Sequence, residues 1–280
     1  MNARKIATRL GIHTAISMGA LVMLYPLLWM LFSSFKFSHA IFSDVGLWSD
    51  KFTYMNYIDG WKGVANTSFA VFFKNSLTVA CLAICGNILS CSLTAFAFAR
   101  LQFSGRKFLF GLMLLTMMLP FHVVIIPRYI IFNQLEWINT FLPLTVPKFF
   151  ATEGFFIFLM VQFMRGLPIE LDNAATVDGC GPFQIYARII IPLSLPALVT
   201  TAIFTFIWTW NDFFSQLIYL SDVKNLTIAL GLRLFLDSTS ESRWGPMFAM
   251  SVVSLIPIFL VFTFFQRYLI EGITSGGLKG

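Results

Sequence analysis

The 280-residue chain is 58% hydrophobic and only 11% charged, and its mean hydropathy is +0.79. A soluble domain carries about 25% charged residues, so a packed aqueous core cannot absorb this much apolar surface. The composition therefore predicts an all-α integral membrane protein. The net charge of +6 does not indicate nucleic-acid binding, because no basic stripe with interleaved aromatic residues occurs. Such a surplus of Lys and Arg suits contact with an anionic leaflet of membrane lipid.

Apolar runs occur at six places along the chain, and a membrane-spanning helix needs about 20 mostly apolar residues. The predicted spans are 11–35, 75–99, 108–127, 142–164, 195–220 and 247–266. The fourth run contains two charged residues, Lys148 and Glu153, and two prolines. This run is nevertheless counted as a span, because without it the number of membrane crossings would be odd.

Positive charges near the ends of the spans predict that both termini are cytoplasmic. Two dense clusters decide this orientation: Arg4, Lys5 and Arg9 before span one, and Arg100, Arg106 and Lys107 between spans two and three. Lysines also flank the first external segment, 36–71, so the overall asymmetry is slight. The N-terminal apolar run is longer than the roughly 7–15 residues of a signal-peptide core and is interpreted as a retained anchor. Residues 267–280 are then a cytoplasmic tail.

The cysteines do not form the pattern of a disulfide framework. Cys81 and Cys85 lie one helical turn apart and could form half of a metal site, but no His or carboxylate accompanies them in that run. Packing is therefore the favoured role for these thiols, as it is for Cys91 in the same run. No metal or cofactor is expected on this chain.

Between spans four and five lies a polar segment that interrupts the apolar pattern, here called the hairpin (residues 165–192). Pro168 near the start and Gly179 near the end predict a first short helix, whose first turn carries Glu170 and Asp172. The second helix is expected to start at Pro182 and to stop near Ile191, because the residue before a proline avoids helical backbone.

The second helix of the hairpin carries one apolar stripe at helical spacing, formed by Phe183, Tyr186, Ala187 and Ile190. Two hypotheses remain open from the residues alone. The stripe either folds back onto the spans or the membrane interface, or it docks into a soluble partner. The small side chains of Ala174 and Ala175 would allow such a partner to approach the backbone closely.

Span five carries polar residues on one helical face, where Thr201, Thr205, Thr209 and Gln216 recur. A threonine alone is typical of helix packing. An ionised Asp within a span costs about 2.5–3.5 kcal/mol and is a candidate functional residue by default. We therefore predict a substrate pathway, to which the candidate residues are Thr205, Trp208, Thr209, Asn211, Asp212 and, from span four, Glu153. Lys148 is expected to extend to the outer interface, and His122 is expected to be packed.

The segment "AATVDG" with its downstream proline resembles the EAA loop of ABC-importer permeases, usually E-A-A-x-x-D-G-A. The matching residues are Ala174, Ala175, Asp178, Gly179 and Pro192. Asn173 stands where the family usually has Glu, and Cys180 stands where it has Ala. The span pattern, "WNDFF" in span five and the ending "EGITSGGLKG" are similar to the maltose-type carbohydrate permeases.

This resemblance implies a permease subunit with six transmembrane helices in the cytoplasmic (inner) membrane of a prokaryote, importing a sugar or oligosaccharide. Its implied partners are a second homologous permease, two ATPase subunits and an extracytoplasmic solute-binding protein. The resemblance assigns ATPase coupling to Asn173, Ala174, Ala175, Asp178, Gly179, Phe183, Tyr186 and Pro192. The chain contains no G-x-x-x-x-G-K-[ST] motif, so ATP and Mg²⁺ are expected on the partner ATPase. With Asn173 in place of Glu, an ion pair to that subunit becomes at most a hydrogen bond.

Two other classes of function were weighed. An ion-coupled secondary transporter is the alternative, and it would need repeated halves and buried ionisable relays. No convincing repeat is seen. A membrane enzyme would need clustered His, Cys or carboxylate side chains, whereas His13, His39 and His122 are scattered.

Overall fold

The computed structural model describes residues 3–49, 51–236 and 242–277, and within them it is helical, with a single isolated bridge between Val64 and Thr67. The α-helices are α1 (Ala3–Ser33), α2 (Met55–Lys62), α3 (Phe69–Arg100), α4 (Arg106–Thr116), α5 (Phe121–Gln134), α6 (Leu142–Thr145), α7 (Gly154–Gly166), α8 (Glu170–Val177), α9 (Pro182–Ile185), α10 (Ile191–Leu193), α11 (Leu195–Asn211), α12 (Phe214–Tyr219), α13 (Ile228–Arg233) and α14 (Trp244–Gly277). A π-helical turn, Tyr186–Ile190, joins α9 to α10. Short 3₁₀ helices occur at Val146–Phe150 and Val223–Asn225.

In the described part of the chain, four helical segments are long and apolar enough to cross a membrane, and two bent helix pairs raise the number to as many as six. The four segments are Arg9–Ser33, Phe69–Arg100, Leu142–Gly166 and Trp244–Tyr268. They overlap the predicted spans one, two, four and six. An all-α membrane protein is therefore what the structure presents.

The third predicted span, 108–127, differs from the structure because it is not one straight helix. Helices α4 and α5 meet at an angle of 99° across the break before Pro120, whose φ of −60° and ψ of 132° are extended. Helix α5 then continues through Pro127 to Gln134. Pro120 thus precedes the first residue of a helix, and Pro127 is accommodated inside that same helix.

The fifth predicted span, 195–220, is divided into α11 and α12 at Asp212 and Phe213. At its other end, α11 meets the second helix of the hairpin at an angle of 75°. The prediction that this helix stops near Ile191 is wrong, because helical structure reaches Leu193. Pro192 lies in the first turn of α10, where its missing N–H is tolerated.

Helix α14 continues beyond the sixth predicted span into the predicted C-terminal tail, 267–280, and remains helical to Gly277. Residues 278–280 of that tail lie outside the described residues.

One compact unit comprises the described residues of 1–70 and 231–256. In it, α2 packs closely on the start of α14: a Cβ added to Gly60 would lie 2.8 Å from Met250 Cγ, and one added to Gly245 would lie 2.4 Å from Asn56 Oδ1. Helix α1 is different, because none of its apolar window is buried. A helix so apolar and so exposed requires lipid around it.

Lys36 is the most deeply buried charged residue of this unit, with an exposure of 0%. Its ammonium group donates to the backbone oxygens of Asp44, at 2.7 Å, and Gly46, and lies 3.8 Å from Asp44 Oδ2. Asn56 Nδ2 donates to the carbonyls of Ser34, at 2.8 Å, and Lys36, at 2.7 Å. These bonds hold the segment after α1 in place.

The second unit comprises residues 71–230 and the described residues of 257–280. Its core is formed by apolar side chains of α3, α7, the hairpin and α11: Cys91, Ala95, Phe96, Phe98, Phe156, Ile157, Met160, Val161, Met164, Ala175, Ile185, Tyr186, Ile190 and Leu198. The hairpin is thus part of the same core as the spans, and does not hang free from it.

Replacing Lys36 with Met should lower stability by about 1–3 kcal/mol, because buried carbonyls lose their charged donor. The thermal midpoint of the detergent-solubilised protein would measure this. Lys62→Met is the matched control, since Lys62 is 68% exposed and pairs with the exposed Asp59 at 2.9 Å. Equal midpoints for the two variants would contradict a structural role for Lys36.

Candidate functional site

A cavity of about 550 Å³ lies in the second unit beside the break between α11 and α12. It is lined by Val79, Phe121, His122, Leu144, Lys148, Ile207, Trp208, Thr209, Asn211, Asp212, Phe214, Ser215 and Gln216. The cavity, referred to below as the span-five cavity, falls within the range of roughly 300–1,000 Å³ that is typical of small-molecule sites.

The break in span five leaves backbone groups without helical partners, and polar side chains satisfy them. Gln216 Nε2 reaches back across the break to Thr209 O, in the last turn of α11, at 3.2 Å. Within α11, Asn211 Nδ2 donates to Ile207 O at 2.8 Å. Asp212 Oδ1 accepts from the backbone N–H of Ser215 at 3.0 Å and so caps α12. Non-helical backbone at membrane depth is tolerated where it is buried in protein or lines a cavity, and this break lines one.

Two aromatic groups form apolar walls of the span-five cavity. Trp208 is 47% exposed, and its ring packs against Phe156 at 5.1 Å, Phe155 at 5.5 Å and Phe204 at 5.8 Å between centroids. On the other side, the ring of Phe214 contacts His122 at 5.2 Å and Phe121 at 6.2 Å. Flat apolar surfaces therefore lie beside the amide of Asn211 and the carboxylate of Asp212.

Lys148 and Glu153 form an ion pair in which Lys148 Nζ donates to Glu153 Oε1. Their side chains are 26% and 29% exposed. Lys148 lines the cavity and Glu153 does not, which is the reverse of what the sequence suggested. Within the described residues, Asp212 has no ion-pair partner. Its carboxylate therefore gives the cavity wall a negative charge that no neighbouring cation neutralises.

The structure brings together four of the predicted pathway residues, Trp208, Thr209, Asn211 and Asp212. Thr205 lies apart from them. It is 2% exposed and accepts a hydrogen bond from Asn87 Nδ2 at 3.0 Å. Thr205 lies on the polar face of span five because it packs against α3. A polar face that is long enough to cross the bilayer need not contact water along its whole length.

Three further lining residues come from distant parts of the chain. Phe121 and His122 belong to α5, which begins after the bend that the sequence did not predict. Lys148 comes from the 3₁₀ turn before α7. Lys148 was expected at the outer interface and His122 in a packed position. Neither expectation predicted that these residues line the cavity. The one feature of the sequence that could have indicated a cavity residue here is Lys148 itself, a charged residue next to a proline in an apolar run.

The hairpin contains the two predicted helices. Helix α8 runs from Glu170 to Val177, and Gly179 adopts a φ of +81° in the turn that follows. Such a φ is open to glycine at little cost and strained for other residues. Asn173, Ala174, Asp178 and Pro192 are exposed, whereas Ala175 is buried.

The apolar stripe of the second helix is divided between two directions. Tyr186 and Ile190 are 8% and 0% exposed, whereas Phe183 is 70% exposed. Phe183 lies in α9, before the π turn, whereas Tyr186 and Ile190 lie within the turn at Tyr186–Ile190, which has a wider helical repeat. Ile185 and Ile190, five residues apart, therefore point into the core together. Folding back onto the spans is confirmed for Tyr186 and Ile190, and docking into a soluble partner stays a prediction for the exposed Phe183.

We expect water-soluble maleimides to label Asn211→Cys rapidly and Thr205→Cys hardly at all. Asn211 is exposed at the cavity, and Thr205 is buried against α3. The measurement requires a background in which the four native cysteines are replaced. Comparable labelling rates at the two positions would contradict this description of span five.

Comparison with known proteins gives one family. The model of the family described as "Binding-protein-dependent transport system inner membrane component" matches residues 86–275. The chain is 32% identical over 261 residues to the trehalose/maltose transport system permease protein MalG of Thermococcus litoralis, with 93% of each chain covered. It is 32% identical over 269 residues to the arabinooligosaccharides transport system permease protein AraQ of Halalkalibacterium halodurans, again covering 93% of each. A third relative is the diacetylchitobiose uptake system permease protein DasC of Streptomyces coelicolor, at 31% over 259 residues and 92% of each chain.

The fold is similar to that of a solved bacterial ABC transporter involved in the import of the acidic polysaccharide alginate. The TM-score is 0.84 at 19% identity, covering 96% of this chain and 98% of that one. The crystal structure of a bacterial alginate ABC transporter in complex with its pentasaccharide-bound periplasmic protein gives a TM-score of 0.68 at 15% identity, over 95% and 96% of the two chains. Neither the ion-coupled transporter nor the membrane enzyme finds support. The chain is a membrane transport subunit and belongs to the family of binding-protein-dependent transport system inner membrane components.

Proposed function

We propose that this chain is a permease subunit of an ATP-binding-cassette importer that carries a sugar or oligosaccharide across the cytoplasmic membrane. The names of the three relatives, all of which refer to carbohydrates, support this substrate class. The complex would contain a second homologous permease, two ATPase subunits and an extracytoplasmic solute-binding protein. ATP and Mg²⁺ would bind to the ATPase subunits, since this chain lacks the phosphate-binding motif.

The observation that carries the proposal is the chemistry of the span-five cavity. A sugar presents hydroxyl groups around its edge and C–H groups on its faces. The amide of Asn211 and the carboxylate of Asp212 can bond hydroxyl groups, while the ring of Trp208 offers a flat apolar surface. Because Glu153 neutralises Lys148, no unpaired Lys or Arg lines the cavity in the described part of the chain, and this favours a neutral sugar over an acidic one.

The proposed topology has six spans, with both termini and the hairpin in the cytoplasm. Four long apolar helical segments and the bent pair of α4 and α5 support five of these spans, and α11 with α12 is proposed as the other one. The position of the hairpin is supported by Arg100, which belongs to the basic cluster between spans two and three and contacts Asp172 of the hairpin. The cluster and the hairpin therefore lie on the same side, and positive clusters favour the cytoplasmic side.

The hairpin is proposed to dock onto the ATPase subunit through its outward face. Large apolar side chains there are exposed, with Val177 at 89%, Phe183 at 70% and Ile169 at 49%. Apolar side chains that cluster on an otherwise polar hairpin are typical of a protein interface. Asn173 is exposed beside them and would contribute at most a hydrogen bond.

Replacing Asp212 with Ala should lower the ratio of the maximal uptake rate to the half-saturating sugar concentration about tenfold or more. The reason is that a hydrogen bond to a charged group contributes roughly 1.5–3 kcal/mol. Asp212→Asn should have a smaller effect, because Asn keeps an acceptor for the N–H of Ser215. Uptake by the complete complex in proteoliposomes is the measurement.

Asp222→Ala is the control for this experiment. Asp222 also caps a short helix, accepting from Lys224 N at 3.0 Å, but it does not line the cavity. Uptake kinetics that are the same for Asp212→Ala and Asp222→Ala would refute the role of Asp212 in the pathway.

Replacing Gly179 with Pro should abolish co-purification of the ATPase while leaving membrane insertion intact. Proline holds φ near about −65° and cannot adopt the +81° of this turn. Gly181→Ala is the control, because Gly181 has a φ of −74° and open space at its Cβ position. An ATPase that still co-purifies with the Gly179→Pro chain would count against docking through the hairpin.

A further inference from the structure

Arg100, the last residue of α3, forms an ion pair with Asp172 in the first turn of α8. Arg100 Nε lies 3.5 Å from Asp172 Oδ2, and the two side chains are only 5% and 13% exposed. By contrast, the Lys62–Asp59 pair of the same chain is 68% and 40% exposed. Exposed pairs contribute little, whereas losing one partner of a buried pair leaves a charge without compensation.

The guanidinium group of Arg100 makes a second contact with the hairpin. Its Nη2 donates to the backbone oxygen of Leu167 at 3.0 Å, in the link between α7 and α8. Arg165 bonds in the opposite direction, from its Nη2 to Phe98 O at 3.4 Å, and its guanidinium lies 5.1 Å from the centre of the Phe110 ring. The start of the hairpin is therefore joined to the end of α3 by two charged side chains, Arg100 from α3 and Arg165 from the hairpin.

The second arm of the hairpin is also bonded to α3. The hydroxyl oxygens of Tyr186 and Ser92 are 2.8 Å apart and share a hydrogen bond, and the Tyr186 ring packs 5.3 Å from that of Phe96. Ser92 lies two helical turns before Arg100, or about 12 Å along the axis at the usual rise of about 1.5 Å per residue. Two bonds separated in this way fix both the position and the direction of α3 relative to the hairpin.

Helix α3 also contacts the segment that carries the cavity residue Lys148. Ser90 Oγ donates to Lys148 O at 2.6 Å. A Cβ added to Gly86 would lie 3.0 Å from the carbonyl carbon of Lys148, so the two backbones are in close contact. The residues of α3 that bond the hairpin and those that bond the cavity wall are thus adjacent along one helix.

We propose that the Arg100–Asp172 pair makes α3 move together with the hairpin, so that Arg100 is a positioning residue for the coupling of ATP hydrolysis to uptake. This inference rests on the proposed function, in which the hairpin contacts the ATPase. A displacement of the hairpin then reaches the cavity through α3 and the Ser90–Lys148 bond. Packed cores and interfaces respond to small shifts by switching arrangement and deform little. Arg100 Nε and Asp172 Oδ1 are buried without a hydrogen-bond partner among the described residues, so the attraction between the two charges is what joins these side chains.

The test uses the complete complex in proteoliposomes, with sugar uptake and ATP hydrolysis measured on the same preparation. We expect Arg100→Gln and Asp172→Asn to leave the complex assembled and to raise the number of ATP molecules hydrolysed per sugar imported at least about fivefold, the lower end of common coupling effects. Lys62→Gln is the control for loss of an ion pair, and its ratio should remain that of the wild type. The exchange of charges, Arg100→Asp with Asp172→Arg, should restore part of the coupling.

Wild-type ratios in both single variants would overturn the proposal. A purely structural role predicts lost assembly with an unchanged ratio in the complexes that remain. If Arg100→Gln does not assemble, Asp172→Asn decides, because Asn keeps the size of the side chain. Loss of assembly in both variants without recovery in the exchanged pair would also count against the proposal. A wild-type complex that shows no ATP-driven uptake would instead refute the proposed function.

Discussion

The absence of water from the hydrocarbon interior is the constraint on which this structure depends. Each backbone N–H and C=O there must find a partner within the protein, which is why spanning segments of this kind are helical. The constraint also governs the exceptions. Where span five breaks, Asp212 and Gln216 bond backbone groups at the two helix ends. The side chains that make the break possible are therefore also the polar groups of the cavity.

Charge follows the same logic, because removing an ion from water costs several kcal/mol unless other groups compensate it. Lys36 is surrounded by backbone oxygens, Lys148 is paired with Glu153, and Arg100 is paired with Asp172. Each of these groups stabilises a different part of the chain: the loop after α1 for Lys36, the wall of the cavity for Lys148, and the contact of α3 with the hairpin for Arg100. Asp212 differs from them in having no ion-pair partner within the described residues, as expected of a group that meets a ligand.

The hairpin combines two tasks that would conflict on an ordinary helix. An α-helical stripe would place Phe183, Tyr186 and Ile190 on one face, to be either buried or exposed together. Here Tyr186 and Ile190, within the π turn, join the core, while Phe183, before the turn, remains outside. One short element is therefore fixed to the spans and still exposes an apolar side chain, as the proposed docking onto the ATPase requires.

The sequence alone determined the all-helical membrane class, the approximate location of the spans and the two-helix form of the hairpin. These depend on local composition, on apolar run length and on Pro and Gly at helix ends, and they need no knowledge of distant contacts. It also indicated Trp208, Asn211 and Asp212, because polar groups in an apolar run are unusual in themselves. Only the tertiary structure decided that Thr205 is buried against Asn87, that Lys148 lines the cavity while Glu153 does not, and that α4 and α5 meet at a sharp bend. These outcomes depend on which helices lie side by side, and a residue's burial is set by neighbours that are distant along the chain.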